Sequence, residues 1–169
     1  RHFLSQWLPL LSSPLEVWCQ YSCFKGPNTR TAEVSELKNI GTGMSPHLER
    51  AYLLYEQRRY ELAEKEIGQA LVVQPNDARS LALLALCLLE QEKFTEATER
   101  AQESVGNAPD ESFSHHTLAR VWYERNYLDE AEQETRAALA FDPHVPGYYV
   151  TQGLIHYRRS KWPLGLGGG

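Results

Sequence analysis

Sulfur-containing residues are scarce in this sequence, which has three cysteines and one methionine among 169 residues. So few cysteines, and an odd number of them, exclude a fold held together by disulfides. Long apolar runs are also missing, since none approaches the ~20 residues that a membrane-spanning helix needs. The net charge of -5 argues against nucleic acid or an acidic membrane surface as the main partner. The sequence therefore indicates an ordinary soluble domain.

Signatures of catalysis and of cofactor binding are missing as well. The sequence has no C-x-x-C pair, nucleophile elbow, phosphate-binding loop or dinucleotide fingerprint. His115 and His116 are adjacent, so on a helix they point about 100° apart and cannot share one metal ion. Cys19 and Cys23 lie four residues apart with no further ligand nearby, which favours packing over zinc binding. Cys87, inside an apolar stretch, is predicted to be core. We expect no enzyme activity, no cofactor and no metal.

An internal repeat of 34 residues is the strongest feature of the sequence. Four columns of residues keep this period in one register. The columns are Ala51, Ala85, Ala119 and Gly153; Tyr60, Phe94 and Leu128; Ala63, Ala97 and Ala131; and Pro75, Pro109 and Pro143. Small residues allow two helices to approach closely, and bulky residues fill the turn between them. Each proline ends an apolar helical stretch because it cannot donate a backbone N–H.

This order of small, bulky, alanine and proline residues resembles the tetratricopeptide repeat family. The resemblance implies an all-α fold, a right-handed superhelical solenoid of antiparallel helix pairs with about three and a half repeats. We expect a repeat domain at residues 44–160, divided into 44–77, 78–111, 112–145 and a half repeat at 146–160, followed by a flexible tail at 161–169. The expected helices are 46–57, 60–73, 78–91, 94–107, 112–125, 128–141 and 146–159.

Residues 1–43 lack the repeat and differ in charge from the rest. They hold four basic and three acidic residues, a balance of +1, so the remaining residues carry -6. Short helices are predicted near 14–24 and 31–39. Two hypotheses fit this segment: an N-terminal extension that packs on the first repeat, or non-native upstream readthrough with Met44 as the natural start. No signal peptide is recognised in it, so we expect a cytoplasmic protein.

The resemblance also implies a function, because the concave groove of this family binds peptides or helices of partner proteins. The matching groove positions are Leu48, Tyr52, Tyr55, Arg79, Leu83, Leu86, Leu89, Phe113, His116, Arg120, Tyr123, Leu154 and Tyr157. Some members clamp the carboxylate of chaperone tails with a lysine and an asparagine. Leu48 and Tyr52 stand at the corresponding positions, so that clamp is missing here. The predicted function is a non-catalytic interaction module for a protein or peptide partner.

Several alternatives stay open. The apolar groove positions could instead pack on neighbouring helices or on the N-terminal extension. The chain could also be the regulatory or substrate-recruiting arm of a larger enzyme. Arg120 could meet a carboxylate of the ligand or, as we favour, Glu90 or Glu124. The half repeat is a candidate for self-association through exposed apolar residues, with Tyr149, Leu154, Ile155 and Tyr157 as the candidates. Carboxylates on the second helices are interpreted as a solvated acidic convex face.

Overall fold

The structure is a computed structural model that describes residues 44–161. The two helices predicted before Met44 lie outside this range, as do Cys19, Cys23 and the glycine-rich residues at the C-terminal end. Within the described range the chain forms seven α-helices and no strand. The helices are α1 (Pro46–Glu56), α2 (Tyr60–Val73), α3 (Ala78–Glu90), α4 (Phe94–Asn107), α5 (Ser112–Glu124), α6 (Leu128–Phe141) and α7 (Pro146–Lys161).

The observed helix bounds agree with the expected ones to within two residues, which confirms the all-α prediction. The largest difference is at the C-terminal end. A flexible tail was expected to start at residue 161, but α7 continues through Lys161. The last turn is held because the Arg159 guanidinium lies 2.6 Å from carboxylate oxygens of both Asp129 and Glu132 on α6. Paired charges of this kind stabilise the end of a helix that would otherwise fray.

Local hydrogen bonds explain where α1 and α3 begin. The Ser45 side chain accepts a hydrogen bond from the backbone N–H of Leu48 at 3.2 Å. The Asp77 carboxylate does the same for Ser80 at 3.0 Å. Both are N-caps that satisfy backbone donors left open in the first helical turn. Asp77, two residues after Pro75, thus caps the first helix of the second repeat.

A feature that the sequence did not reveal recurs in the turn inside each helix pair. Arg58, Glu92 and Asn126 adopt left-handed backbone conformations, with φ of 60°, 63° and 65°, and they are spaced by the repeat period. The next residue then donates its N–H back five residues, as from Arg59 to the Leu54 carbonyl at 2.9 Å. This Schellman arrangement closes the helix and starts the turn. Glycine is the usual residue at such a position. None of these three positions has a glycine, so the sequence contains no signal for the turn.

Close packing of small residues holds each pair together. The alanines of both predicted columns, Ala51, Ala85, Ala119, Ala63, Ala97 and Ala131, are fully buried with 0% exposure. Cys87 is also buried and belongs to the same core, as predicted. Packing at native density leaves no room for larger side chains at these crossings. The small-residue columns are therefore the helix contacts themselves.

The order of helix contacts produces a curved stack. Each helix packs against the next one in the chain, and the first helices α1, α3, α5 and α7 also contact one another in sequence. Among the described helices no second helix contacts another second helix. First helices therefore lie together on the inner, concave side, and α2, α4 and α6 lie spread on the outer side.

The α4 crossing provides a test of this packing. Replacement of Ala97 by arginine places a long charged side chain in a fully buried contact. We expect the free energy of unfolding to fall by about 2–4 kcal/mol because of overpacking and charge burial. Gln102→Arg on the exposed side of the same helix is the control and should change stability by less than about 0.5 kcal/mol. Urea unfolding followed by circular dichroism measures both, and equal stability of the two variants would contradict the crossing.

Candidate partner-binding face

The thirteen predicted groove residues lie on α1, α3, α5 and α7, the helices that form the concave side. Their side chains are not equally accessible. Eight are buried, namely Leu48, Tyr52, Tyr55, Leu83, Leu86, Leu89, Phe113 and His116. Five are half-buried, namely Arg79, Arg120, Tyr123, Leu154 and Tyr157. The concave side therefore divides into a packed part and a more accessible part.

In the packed part, two aromatic rings from helices that are not neighbours contact each other. The ring centroids of Tyr52 on α1 and Phe113 on α5 are 6.4 Å apart, with the planes tilted by 58°. Both rings belong to one buried cluster with Leu83 and Leu86 of the intervening helix α3. A tilted contact at this distance is a favourable geometry for aromatic pairs. In this arrangement the four side chains hold three successive first helices together.

Burial also determines the chemistry of Tyr52. Its hydroxyl oxygen is buried and finds no hydrogen-bond partner among residues 44–161. Loss of solvent raises the pKa of the Tyr52 phenol far above its usual range, with the nearby Arg79 acting in the opposite direction. The hydroxyl therefore stays neutral, and Tyr52 acts as a core residue.

His116 is also a core residue, and it connects α5 to α7. Its Nε2 lies 2.9 Å from the Thr151 hydroxyl oxygen, and its ring centroid lies 4.6 Å from that of Tyr148. Burial, and to a smaller extent the positive charge of Arg120, lowers the pKa of His116 to about 3. The imidazole is neutral at physiological pH and engaged in packing, so it has no ligand-binding geometry.

Two ion pairs cross the concave side between α3 and α5. Arg79 lies 3.3 Å from the carboxylate of Glu111, which precedes α5. Arg120 lies 3.3 Å from that of Glu90 at the end of α3. The second pair is the arrangement favoured from the sequence over a contact with a ligand carboxylate. All four side chains are half-buried, so these pairs also fix the relative position of the two helices.

The accessible part of the concave side lies between α5 and α7. Tyr123, Leu154 and Tyr157 are half-buried there, and we call these three residues the aromatic edge. The Arg158 guanidinium lies 3.6 Å from the centroid of the Tyr123 ring. It also donates a hydrogen bond to the Tyr123 backbone carbonyl at 2.5 Å. A cation over the ring face holds Tyr123 in place.

Histidine–carboxylate pairs on the outer side form a second repeated feature that sequence reasoning missed. His47 Nδ1 lies 2.9 Å from Glu66, and His115 Nδ1 lies 2.7 Å from Glu134. The two pairs are separated by two repeat periods, so the spacing of histidine and glutamate in the sequence was the available signal. At Glu66 and Glu134 the acidic convex face is less solvated than expected, because both side chains are half-buried and hydrogen-bonded to a histidine.

Neither a metal centre nor a reactive thiol is present in the part of the chain that the structure describes. No group of three or more histidine, cysteine, aspartate or glutamate side chains there is arranged to hold an ion. Burial raises the pKa of the Cys87 thiol to about 12, which leaves it protonated and unreactive.

A polar cavity of about 350 Å³ lies where α3 and α5 begin, and its walls include the Arg79–Glu111 pair. None of the helices at 44–161 is long and apolar enough to cross a membrane.

This architecture defines a helical-repeat protein whose concave side combines a packed core with an accessible aromatic edge. Residues 48–112 match the family model described as tetratricopeptide repeat. No curated protein matches the sequence. The structural likeness extends over most of the chain. The TPR domain of Arabidopsis OM64 superimposes with a TM-score of 0.60 at 15% identity, over 78% of this chain and 98% of that one.

Two further solved structures carry bound peptides. The first TPR domain of Spaghetti (RPAP3), bound to the HSP90 peptide SRMEEVD, gives a TM-score of 0.62 at 14% identity over 68% of this chain and 93% of its own. The Yersinia enterocolitica type III secretion chaperone SycD, in complex with a peptide of the translocator YopD, gives a TM-score of 0.58 at 18% identity. The match covers 68% of this chain and 91% of the SycD chain. At these identities the likeness establishes the fold. The match to the tetratricopeptide repeat family covers residues 48–112, and the solved structures extend the same fold to the other described helices.

His116 makes the stability of this domain depend on pH. The unfolded chain takes up a proton on this histidine below about pH 6.5, whereas the native side chain, with its pKa lowered to about 3, stays neutral. The free energy of unfolding should therefore fall as pH decreases, by about 2 kcal/mol from pH 7 to pH 5. Urea unfolding at several pH values measures this fall.

The matched variant is His116→Gln, because an amide can hydrogen-bond to Thr151 but does not titrate. The pH dependence should become flatter in this variant and stay unchanged in His144→Gln, which replaces an exposed histidine. Glu132, whose pKa is lowered mainly by its hydrogen bond with Arg159, loses its contribution only at more acidic pH. An unchanged slope in His116→Gln between pH 7 and pH 5 would show that the native state protonates this ring.

Proposed function

We propose that this chain is a non-catalytic interaction module that binds a peptide or helix of a partner protein on its concave side. The observation that carries this proposal is the aromatic edge, where Tyr123, Leu154 and Tyr157 remain half-buried while most other concave side chains are buried. Tyrosine combines a large apolar contact area with a polar tip and is enriched among residues that dominate binding energy. The partner segment is proposed to lie along α5 and α7.

The chemistry of this side favours an apolar or aromatic segment of the partner. Leu48 and Tyr52, at the positions where relatives with a chaperone-tail clamp have polar residues, are buried. The concave arginines Arg79 and Arg120 are paired with glutamates. A carboxylate on the ligand would have to displace these ion pairs. Peptides bound to the Spaghetti (RPAP3) domain and to SycD support a peptide as the kind of ligand.

A peptide selected from a random display library against the full chain provides the test. Its affinity, measured by fluorescence anisotropy, should weaken by roughly 5- to 100-fold in Tyr123→Ala and in Tyr157→Ala, which corresponds to about 1–3 kcal/mol per anchor. Tyr55, although predicted as an anchor, is buried, so its truncation would report on folding and not on binding.

Tyr149→Ala removes an exposed tyrosine from the same helix α7 and is the control. It should leave the affinity unchanged, and circular dichroism should show equal helicity for all variants. If the selected peptide binds both edge variants as tightly as the unmodified chain, the concave edge is not the binding site. The acidic convex side then becomes the candidate.

A further inference from the structure

Helix α1 has a row of side chains that is open to solvent, although the same row is buried in every later first helix. Pro46, Glu49 and Leu53 form this row, and all three are exposed, Leu53 to 45%. The same repeat positions on α3, α5 and α7 are all buried, and their residues are Ser80, Leu83, Cys87, Ser114, Thr117, Val121, Tyr148, Thr151 and Ile155. The expectation of an exposed Ile155 is therefore wrong, because this side chain belongs to the buried row of α7.

The later first helices bury this row against the second helix that precedes them. Leu83 and Cys87 of α3 belong to one core cluster with three residues of α2, namely Ala63, Ile67 and Ala70. Helices α5 and α7 also contact the preceding second helices, α4 and α6. The row on α1 therefore marks the place where a preceding second helix would lie.

A polar contact at the end of each later first helix belongs to the same interface. Side chains at positions 91, 125 and 159, which share one repeat position, each donate a hydrogen bond to the preceding second helix. The pairs are Gln91 with Glu64, Arg125 with Thr98 at 2.9 Å, and Arg159 with Glu132 at 2.6 Å. Gln57 stands at this position after α1 and is exposed. We call Pro46, Glu49, Leu53 and Gln57 the open face of α1.

The same contacts set the direction in which a preceding helix runs. Thr98 near the start of α4 meets Arg125 after the end of α5. Ser104 near the end of α4 lies 2.7 Å, between hydroxyl oxygens, from Ser114 near the start of α5. The two helices are thus antiparallel, and four residues connect them. A segment that covers the open face of α1 in this way must run antiparallel to α1 and join its start by a short connection.

The chain has a segment of suitable pattern at this place. Residues 31–39 lie outside the described range, and the sequence predicts a helix there with Val34, Leu37 and Ile40 on one side. Residues 40–45 alone separate this segment from α1. Six residues span at most roughly 20 Å, so the segment stays close to the start of α1.

We propose that residues 31–40 lie on the open face of α1, antiparallel to it, in the place of a preceding second helix. The apolar side of the segment covers Pro46 and Leu53, and an earlier part of the chain meets Gln57. The open face is then buried as it is in the other first helices. This proposal concerns the start of the stack and does not depend on the function proposed for the concave side.

Charge supports this occupant at the one ionised residue of the open face. Glu49 stands where the later first helices have leucine or threonine, so an apolar cover alone would desolvate its carboxylate. Arg30 and Lys38 lie four residues before and after Val34, which places a cation on either side of Val34 along one face of the predicted helix. Residues 1–43 carry +1 and the remaining residues -6, so the overall charges also attract.

A second copy of the chain has no matching surface to offer. The buried row of a first helix packs against a second helix, and the last second helix, α6, is already in contact with α7. The stack ends in α7 alone within the described residues. Docking a second copy on the open face in the geometry of the repeat would therefore require α7 to leave α6.

Hydrogen–deuterium exchange of the full chain, followed by mass spectrometry, tests the proposal. Backbone amides of residues 31–40 should exchange at least about tenfold more slowly than those of an unstructured peptide of the same sequence. Leu53→Glu places a carboxylate on the open face, and Leu37→Glu places one on the segment. Each should speed exchange at residues 31–40 by at least about fivefold. Leu53 is exposed, so α2–α7 should keep their protection in both variants.

Matched controls separate this contact from general effects of an added charge. Val72→Glu replaces a valine that is 77% exposed on α2, and Ser35→Glu changes the side of the predicted helix opposite Leu37. Both should leave exchange at residues 31–40 unchanged, as should a tenfold dilution of the unmodified chain. Exchange there at the unstructured rate, protection that survives in either test variant, equal loss in the controls, or protection that falls on dilution would each overturn the proposal.

Discussion

The close approach of two helices at a pair of small residues is the contact on which the rest of this structure depends. Alanine is fully buried at the crossing of all three complete pairs, and each crossing sets the spacing between a first helix and a second one. Because the spacing is the same every 34 residues, successive pairs stack with the same geometry. First helices then gather on one side, and the concave side follows from this repetition. Its curvature decides which side chains can meet across it.

Helix positions and core alanines could be predicted because they depend on short-range periodicity. A proline ends a helix, and a small residue marks a crossing, whatever the partner side chains are. The turns within each pair could not be predicted in the same way. Arg58, Glu92 and Asn126 share a left-handed backbone but no side-chain property, because tertiary packing imposes the conformation and overrides local preference.

The concave residues were identified correctly as residues of the first helices, yet their accessibility could not be read from the sequence. The contact between Tyr52 and Phe113 joins α1 and α5, which are two repeats apart. Whether such rings meet depends on the curvature of the whole stack, to which every crossing contributes. Concave side chains near the start of the stack, such as Tyr52, are consequently buried in its core. Nearer its end, Tyr123 is fixed by Arg158 and stays accessible.

The faces of helix α7 differ in their surroundings. Its buried side, with Ile155 and Thr151, continues the packing of α5, and Thr151 fixes the neutral ring of His116. Tyr157 contributes to the aromatic edge on the concave side, while Gly153 lies on another face of the same helix. The faces are separated around the helix, so the packing of Ile155 and Thr151 leaves Tyr157 half-buried and Gly153 exposed.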